Sequence, residues 1–597
     1  MGPDARGSRV VLEGIPHGIR SASSDAGILA SWLLYAPSTI HTLTPLTTLP
    51  VLVLAFLPLP PQDTPPAKAG ETDVSLPEAP TDEIGRIGLE FLVLAFELSP
   101  WLVEERGWTG RPFDLGSFGA QKRIDRIDTL DRLARELRKL RDSGGTPQEE
   151  ADRKALAALV TAEHARYATR NPERWNADYH VMRVDRALRT KILSPRRPGQ
   201  IRVEMLRILG LLPGYWKEAR SALVSPIEEW TPLAIERLRR FEFDLEGWRE
   251  DFVSGFKNDT QDDKANEAFD EALAATSAFR TWLEERPAGL GGTTMTLDAE
   301  RWGTLVQAAS GTVWSIEEIK WNVLRDLAHA EREYGPRWRS RSQDSEVLDS
   351  ELFEQLDRVL GTASLQAMEL AERAGALTSE APDETVRFST ADLLPARYGV
   401  PVILLPGTGY TQQVLLDSAE LSGADRAAQR VLGVRYGFPG VALLAYESQR
   451  ARSVLPRFLW NRALFEGWGL YALDWIQRID WVSNPFAADG AFRAEATRQR
   501  VLEGARLLAS LALHGEGLSQ AEAAEDFSRR TGVDLERATR EVRTALLDPL
   551  RGVGYLGYVG LLERERSFER SADLAQAIGR TLAQTLASPH LRPADQP

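Results

Sequence analysis

The sequence contains no cysteine. That excludes disulfides, Cys-ligated zinc, iron–sulfur clusters, thiol nucleophiles and a lipid anchor on a cysteine of this chain. Histidine is almost as scarce, with seven in 597 residues: His17, His41, His164, His180, His329, His514 and His590. Any imidazole chemistry has to be assembled from those few. There is no His-Glu-x-x-His zinc helix and no Gly-x-Ser-x-Gly nucleophile elbow. No apolar run reaches the roughly 20 residues that a membrane-spanning helix needs. Positive charge is in deficit, with 72 Lys and Arg against 86 Asp and Glu and a net charge of −14. A surface of that sign repels phosphate backbones and anionic bilayers, which argues against nucleic acid as a partner. The acidity is spread along the chain, and with 43% hydrophobic and 26% charged residues the composition is that of a folded, soluble body.

The first eighty residues differ from the rest. They are rich in Pro, Ser, Thr and Gly and contain the run "LPVLVLAFLPLP", Leu49 to Pro60, followed by a Pro-rich spacer. The run has the size of a signal-peptide core. No basic cluster directly precedes it and the first residue lies about forty positions upstream, a distance that a true start nearer the run would explain. Two readings of residues 1–81 stand: a disordered segment carrying an atypical export signal (a periplasmic or secreted protein), or a greasy tail on a cytoplasmic one.

From Asp82 onward the pattern is helical. "TLDRLARELRKLRD" sets Leu130, Leu133, Leu137 and Leu140 on one stripe with charges opposite. "TPQE" (Thr146–Glu149), "SPIE" (Ser225–Glu228) and "SQAE" (Ser519–Glu522) fit the capping box, in which a hydroxyl and a carboxylate satisfy the first turn's amides reciprocally. Strand signal is confined to "ETVRFST" (384–390) and "GVPVILL" (399–405), enough for one small sheet. "ERPAGLGGTTMT" (285–296) marks the clearest break. It separates a helical N-terminal half, 82–286, from a second half, 287–597, that carries the motifs.

In "FEGWGLYALDW", Trp468, Tyr471 and Trp475 fall on one helix face, the pattern of an aromatic core stripe. Glu466 sits beside that apolar face, where a carboxylate needs a partner. "LLPGTGYTQQ" (404–413) runs from a strand through glycines as a phosphate loop would, but lacks the Gly-Lys-Ser/Thr ending and is read as a tight turn. "RDLAHAERE" sets Asp326 and His329 three apart on a helix, a spacing shared by metal helices and by ordinary charged faces.

The segment "EGWGLY" (Glu466–Tyr471) resembles the Glu-Gly-Trp-Ala-Leu-Tyr block of the bacterial domain of unknown function 885 family, with Gly469 in place of Ala. "LPRF" (455–458), "ARLLASLALHGEGLSQAEA" (505–523) and "EVRTALLDPLRGVGYLGYVG" (541–560) are similar to further blocks of that family. The family looks like the helical zinc carboxypeptidases of the Taq type. The resemblance implies a mainly α fold, a large multi-helix zinc-peptidase-like body around a cleft, with one small β-sheet.

The family's other signature, His-Glu-x-x-Pro-Gly-His-His, lies on "RYGFPGVA". Pro439 and Gly440 are kept. Arg435 stands at the first zinc-binding His, Tyr436 at the catalytic Glu, and Val441 and Ala442 at the His pair. "AYESQRARS" (445–453), with Glu447 as base, is a rival placement that also lacks both histidines. A zinc-peptidase site needs two neutral imidazoles and a carboxylate, with a water that the metal acidifies toward about pH 7. Of these groups only Glu466 remains, and a guanidinium at position 435 repels a dication. The sequence reading therefore assigns no metal and no cofactor, and expects Arg435 to take the charge role of zinc by pairing with Glu466. The resemblance also places Arg506, His514 and Tyr555 near the cleft, without making them catalytic.

The functional expectation is a catalytically inactive relative whose cleft binds a peptide or protein partner. The alternatives are a hydrolase with metal-free chemistry in that cleft, using His514, Tyr555 or Tyr436 as acid or base, or a metallopeptidase with ligands such as Asp326 and His329.

Overall fold

The computed structural model describes residues 82–105, 115–116, 119–140, 146–192, 198–224, 226, 230–253, 259–286, 296–341, 350–376, 386–391, 402–406, 412–417, 424–450, 458–459, 461–479, 484–569 and 574–587. All belong to one compact unit, residues 69–597. The expectations for residues 1–81, including the run 49–60, and the "SPIE" capping box fall at least partly outside the described residues.

The chain is mainly α. Helices α1 (Glu83–Leu98), α2 (Leu102–Glu105), α3 (Ala120–Leu140) and α4 (Pro147–His164) form the first layer. The leucine stripe does what its period predicts: Leu130, Leu133 and Leu137 are buried against Phe91, Leu92 and Leu156. Thr146 and Glu149 form the predicted capping box at the start of α4, which runs on into a π-helical turn, Ala165–Arg170. Helices α5 (Ala177–Ile192), α6 (Pro198–Ala222), α7 (Thr231–Val253) and α8 (Asp259–Glu285) enclose a second core, where Trp216 stacks on Phe279.

Helices α9 (Ala299–Ser310), α10 (Ile316–Arg341) and α11 (Ser350–Arg373) lead to three short strands, β1 (Arg387–Ala391), β2 (Val402–Pro406) and β3 (Gln412–Asp417). Their order is β1-β3-β2, with β1 parallel and β2 antiparallel to β3. Strand β3 has no counterpart in the sequence reading. It pairs with β2, Leu405 standing opposite Gln413, while residues 407–411 of the stretch read as a tight turn lie outside the described residues.

The remainder is helical: α12 (Arg426–Tyr436), α13 (Val441–Arg450), α14 (Arg462–Arg478), α15 (Pro485–Ala488), α16 (Gly490–His514), α17 (Gln520–Thr531), α18 (Leu535–Leu547), α19 (Gly554–Glu569) and α20 (Leu574–Ala587). Ser519 and Glu522 form the predicted box on α17. Helix α14 is buried on all sides from Ala463 to Leu473, as a central helix must be when its sequence is apolar all round. Trp468, Tyr471 and Trp475 are fully buried in its core. It crosses α19 at backbone contact. A Cβ on Gly557 would fall on the Ala463 carbonyl, and one on Gly467 would fall on the Tyr558 amide, so only glycine permits that approach. The apolar cores draw on both sequence halves: Trp175 and Trp230 pack with Trp302 and Leu507, and Phe458 and Leu459 pack with α1 and α4.

Candidate functional site

Helix α14 carries Glu466 to the edge of a cavity of about 390 Å³. Side chains of α1 and its neighbours line it, among them the apolar Phe91, Ala95, Phe96, Trp101 and Phe458 and the charged Glu105, Glu163 and Arg186. A second group of lining residues is densely charged and comes from α12, α14, α16 and the segment between α18 and α19. Arg435, Arg462, Glu466, Glu503, Arg506, Asp548 and Arg551 belong to it.

These charges form two ion-paired clusters that feel each other's field. Asn461 caps α14 by accepting from the Leu464 amide, and this sets Arg462 in the first turn, four residues before Glu466. Arg462 Nε donates to Glu466 Oε1 at 2.7 Å and Nη1 donates to Asp548 Oδ2. Arg506 Nη1 donates to Glu503 Oε2 at 3.2 Å and Nη2 to Glu541 Oε1 at 2.6 Å. Arg551 Nη2 donates to Glu541 Oε2 at 3.0 Å. Arg435 Nη2 lies 3.5 Å from Glu503 Oε2, and its Nη1 donates to Gln499 Oε1 at 2.7 Å. Four guanidiniums thus meet four carboxylates, and the two clusters together are neutral with all of them ionised.

Burial acts on every carboxylate here, and the neighbours decide the outcome. Burial pushes the Glu466 carboxyl above its usual value. Arg462 opposes this and the Glu503 charge adds to it. Burial also presses Glu503 upward, but Arg506, Arg435, Arg551 and Arg462 outweigh it and hold that group below its usual value. At Asp548 burial is outweighed chiefly by Arg462, and at Glu541 by Arg506 and Arg551, so both are lowered.

The structure gathers five of the expected positions at this cavity: Arg435, Tyr436, Val441, Glu466 and Arg506. Ala442 is fully buried in the core beside it and is absent from the lining. The expected partnership of Arg435 with Glu466 is replaced by two others. Arg435 pairs with Glu503 and lies 5.1 Å from the Tyr436 ring centroid, while Glu466 pairs with Arg462. Helix geometry explains the exchange, because Arg462 is an i, i+4 neighbour of Glu466 and reaches it without crossing the cavity.

His514 and Tyr555 do not line this cavity. The His514 ring is spent on backbone: Nδ1 accepts from the Leu297 amide at 3.1 Å and Nε2 donates to the Ala545 carbonyl at 3.0 Å. Tyr555 is buried and donates to Asp326 Oδ2 at 3.1 Å. That Asp326 oxygen also meets Arg500, whereas His329 is exposed and lies near Glu333, so the two do not converge. Glu447, on α13, is absent from the lining as well.

The residues present do not fit the zinc that the resemblance implies. Among the described residues no imidazole acts on Glu466, and the cations beside it, Arg462 and Arg551, repel a dication. Among the described residues no cluster of three His, Cys, Asp or Glu is disposed to hold a metal ion.

Arg462, Glu503, Glu541, Asp548 and Arg551 escaped the sequence reading. Two local signals pointed to part of the set: Arg462 lies four residues before Glu466, and Glu503 lies three before Arg506. The remaining pairs span long stretches of chain and have no local signature.

No family model matches the chain, and no curated protein does. Solved structures do. One from Shewanella oneidensis covers 85% of this chain and 100% of its own length at 13% identity, with a TM-score of 0.60. One from Colwellia psychrerythraea covers 84% of this chain and 98% of its own at 12% identity, with a TM-score of 0.66. Each is described as a "putative lipoprotein", the first as being of unknown function. At that identity the likeness establishes a shared fold. Among the described residues no helix is long and apolar enough to cross a membrane.

Proposed function

We propose that this chain is a relative of the helical zinc carboxypeptidases, similar to the domain of unknown function 885 family, in which a protein ion-pair network stands in place of the metal and the cleft binds a peptide or a segment of a partner protein. One observation carries the reading: Arg435, which the resemblance sets at a zinc-binding His, is buried and paired with Glu503 at the cavity. Arg435, Arg506, Arg551, Glu466, Glu503 and Glu541 are buried, with Arg462 and Asp548 half-buried beside them, and removing a buried member strands a charge. Together they supply structure where relatives have a metal. The apolar side chains of the lining, Phe91, Ala95, Phe96 and Trp101 among them, give a ligand surface to bury, as binding sites do. Metal analysis of the purified protein tests the reading. The expectation is far less than one zinc per chain, and a tightly held stoichiometric zinc overturns it.

One feature favours a second reading, a hydrolase with metal-free chemistry. Glu466 and Glu503 are adjacent carboxylates whose environments push their pKa values in opposite directions, the relation that acid and base partners show. Cleavage of a peptide pool in the presence of chelator, abolished by Glu466→Gln, would select it over the binding reading.

Export belongs to the same proposal. It is supported by the lipoprotein descriptions of the two similar structures and by the apolar run 49–60 with its Pro-rich spacer. With no cysteine in the chain, the expectation is a periplasmic or secreted protein, checked by fractionating cells that express the full sequence.

A further inference from the structure

Every charge on the described lining of the cavity already has a counter-charge. The four arginines of the two clusters meet four carboxylates. Two further arginines line the cavity, and each is paired in the same way. Arg186 donates from Nε and Nη2 to Glu105 Oε1 at 3.1 and 2.6 Å, and its guanidinium lies 5.2 Å from the Trp101 ring centroid. Arg166 Nη1 lies 3.6 Å from Glu163 Oε1. Among the described residues the lining contains no lysine and no histidine, and its charges sum to zero with these partners. An ion entering the cavity gives up its hydration and meets no unpaired counter-charge. It is compensated only by breaking a pair, which strands the partner.

The uncharged part of the lining is mainly apolar. Phe91, Phe96, Trp101 and Phe458 belong to it, and all four are buried in the chain. Water against such side chains is displaced favourably by an apolar group. Because these walls are buried, a ligand reaches them by inserting side chains, and lying along an outer face does not suffice. The volume of about 390 Å³ is more than twice the roughly 150 Å³ that takes one benzene. That is room for two ring-sized groups.

We propose that the cavity selects a peptide segment carrying two adjacent apolar side chains and rejects a charged side chain at either position. This rests on the reading of the cavity as a peptide cleft and names the peptide class that it takes. The ion pairs act as the rejecting element, and the apolar lining is the attracting one.

Calorimetric titration of the full chain at pH 7 tests it with four dipeptides blocked at both ends, so that only one side chain differs. These are acetyl-leucyl-phenylalanine amide and its glycyl, lysyl and glutamyl counterparts. The leucyl peptide is expected to bind at least about tenfold more tightly than each of the others, a difference of about 1.4 kcal/mol. A lysyl or glutamyl peptide that equals the leucyl one overturns the rejection of charge and leaves the peptide cleft standing. A glycyl peptide that equals it overturns the demand for a second apolar side chain and likewise leaves the cleft standing. Ala95→Trp, which fills the cavity, is expected to abolish binding of the leucyl peptide. If that variant does not fold, Ala309→Trp on α9 takes its place, and the ranking of the four peptides on the unaltered chain decides in either case. Unchanged binding by a folded filling variant, or no binding of any peptide to the unaltered chain, overturns both the selection and the cleft.

Discussion

Arg435 Nη2 lies 3.5 Å from Glu503 Oε2, and each side chain is only 4% exposed. This pair joins α12 to α16 at the cavity. Glu503 keeps Arg506 if Arg435 is removed, whereas among the described residues Arg435 is left with the neutral Gln499 if Glu503 is removed. Arg435→Leu is expected to cost about 2 kcal/mol and Glu503→Leu about 3–5 kcal/mol, because the second strands more buried charge. Urea unfolding of both variants checks the order. Two changes within about 0.5 kcal/mol of zero would mean that the pair contributes nothing.

The pKa shifts give the network a pH signature. Glu503, Glu541 and Asp548 have folded values below those of the unfolded chain, about 4.3 for Glu and 3.9 for Asp. Their contribution to stability is fully present above the unfolded values and is lost as pH falls through the folded ones. Glu466 is raised, so the sign is reversed. Its contribution is present below about pH 4.3 and is lost as pH rises through its folded value. Denaturation midpoints across a pH series should therefore fall less steeply in acid for Glu541→Gln, and decline less above pH 4.3 for Glu466→Gln, than for the unaltered chain.

Gly469 lies against Arg435. A Cβ there would stand 2.9 Å from the Arg435 carbonyl oxygen and 3.0 Å from Arg435 Cγ. Gly469→Ala is expected to cost about 1–3 kcal/mol through overpacking. Gly557→Ala should cost more, because its Cβ would fall on the Ala463 carbonyl and neither helix can give way. Thermal unfolding of the two variants checks the ranking. A neutral Gly557→Ala would show that α14 and α19 do not cross at backbone contact.

His514 holds two buried backbone groups, the Leu297 amide and the Ala545 carbonyl, on opposite ring nitrogens. His514→Ala leaves both unsatisfied and is expected to destabilise the fold by about 2–4 kcal/mol. Peptide affinity in the cavity, measured below the variant's unfolding temperature, is expected to stay within about twofold of the unaltered chain. A large loss of affinity with little loss of stability would assign His514 to the cleft after all.

What was legible in the sequence was local. The leucine stripe of α3 and the capping boxes at Thr146 and Ser519 stand where their spacing put them, because each depends on residues three or four apart. Strand β3 was missed because a strand's pairing partner is remote. Gln412–Asp417 becomes a strand only beside Val402–Pro406 and Arg387–Ala391. The partner of Glu466 was misassigned although Arg462 stands four residues away. The expectation rests on the resemblance alone, and the helix supplies a nearer cation.

By itself, the sequence determined the mainly α body, the aromatic core stripe of α14 and the shortage of imidazoles, all consequences of composition and short-range periodicity. The tertiary structure decided which charges meet. Arg462 finds Asp548 across 86 positions, Arg506 finds Glu541 across 35, and Arg435 turns to Glu503 and away from Glu466. An ion pair depends on distance in space and on the dielectric around it, and both exist only once the helices have packed.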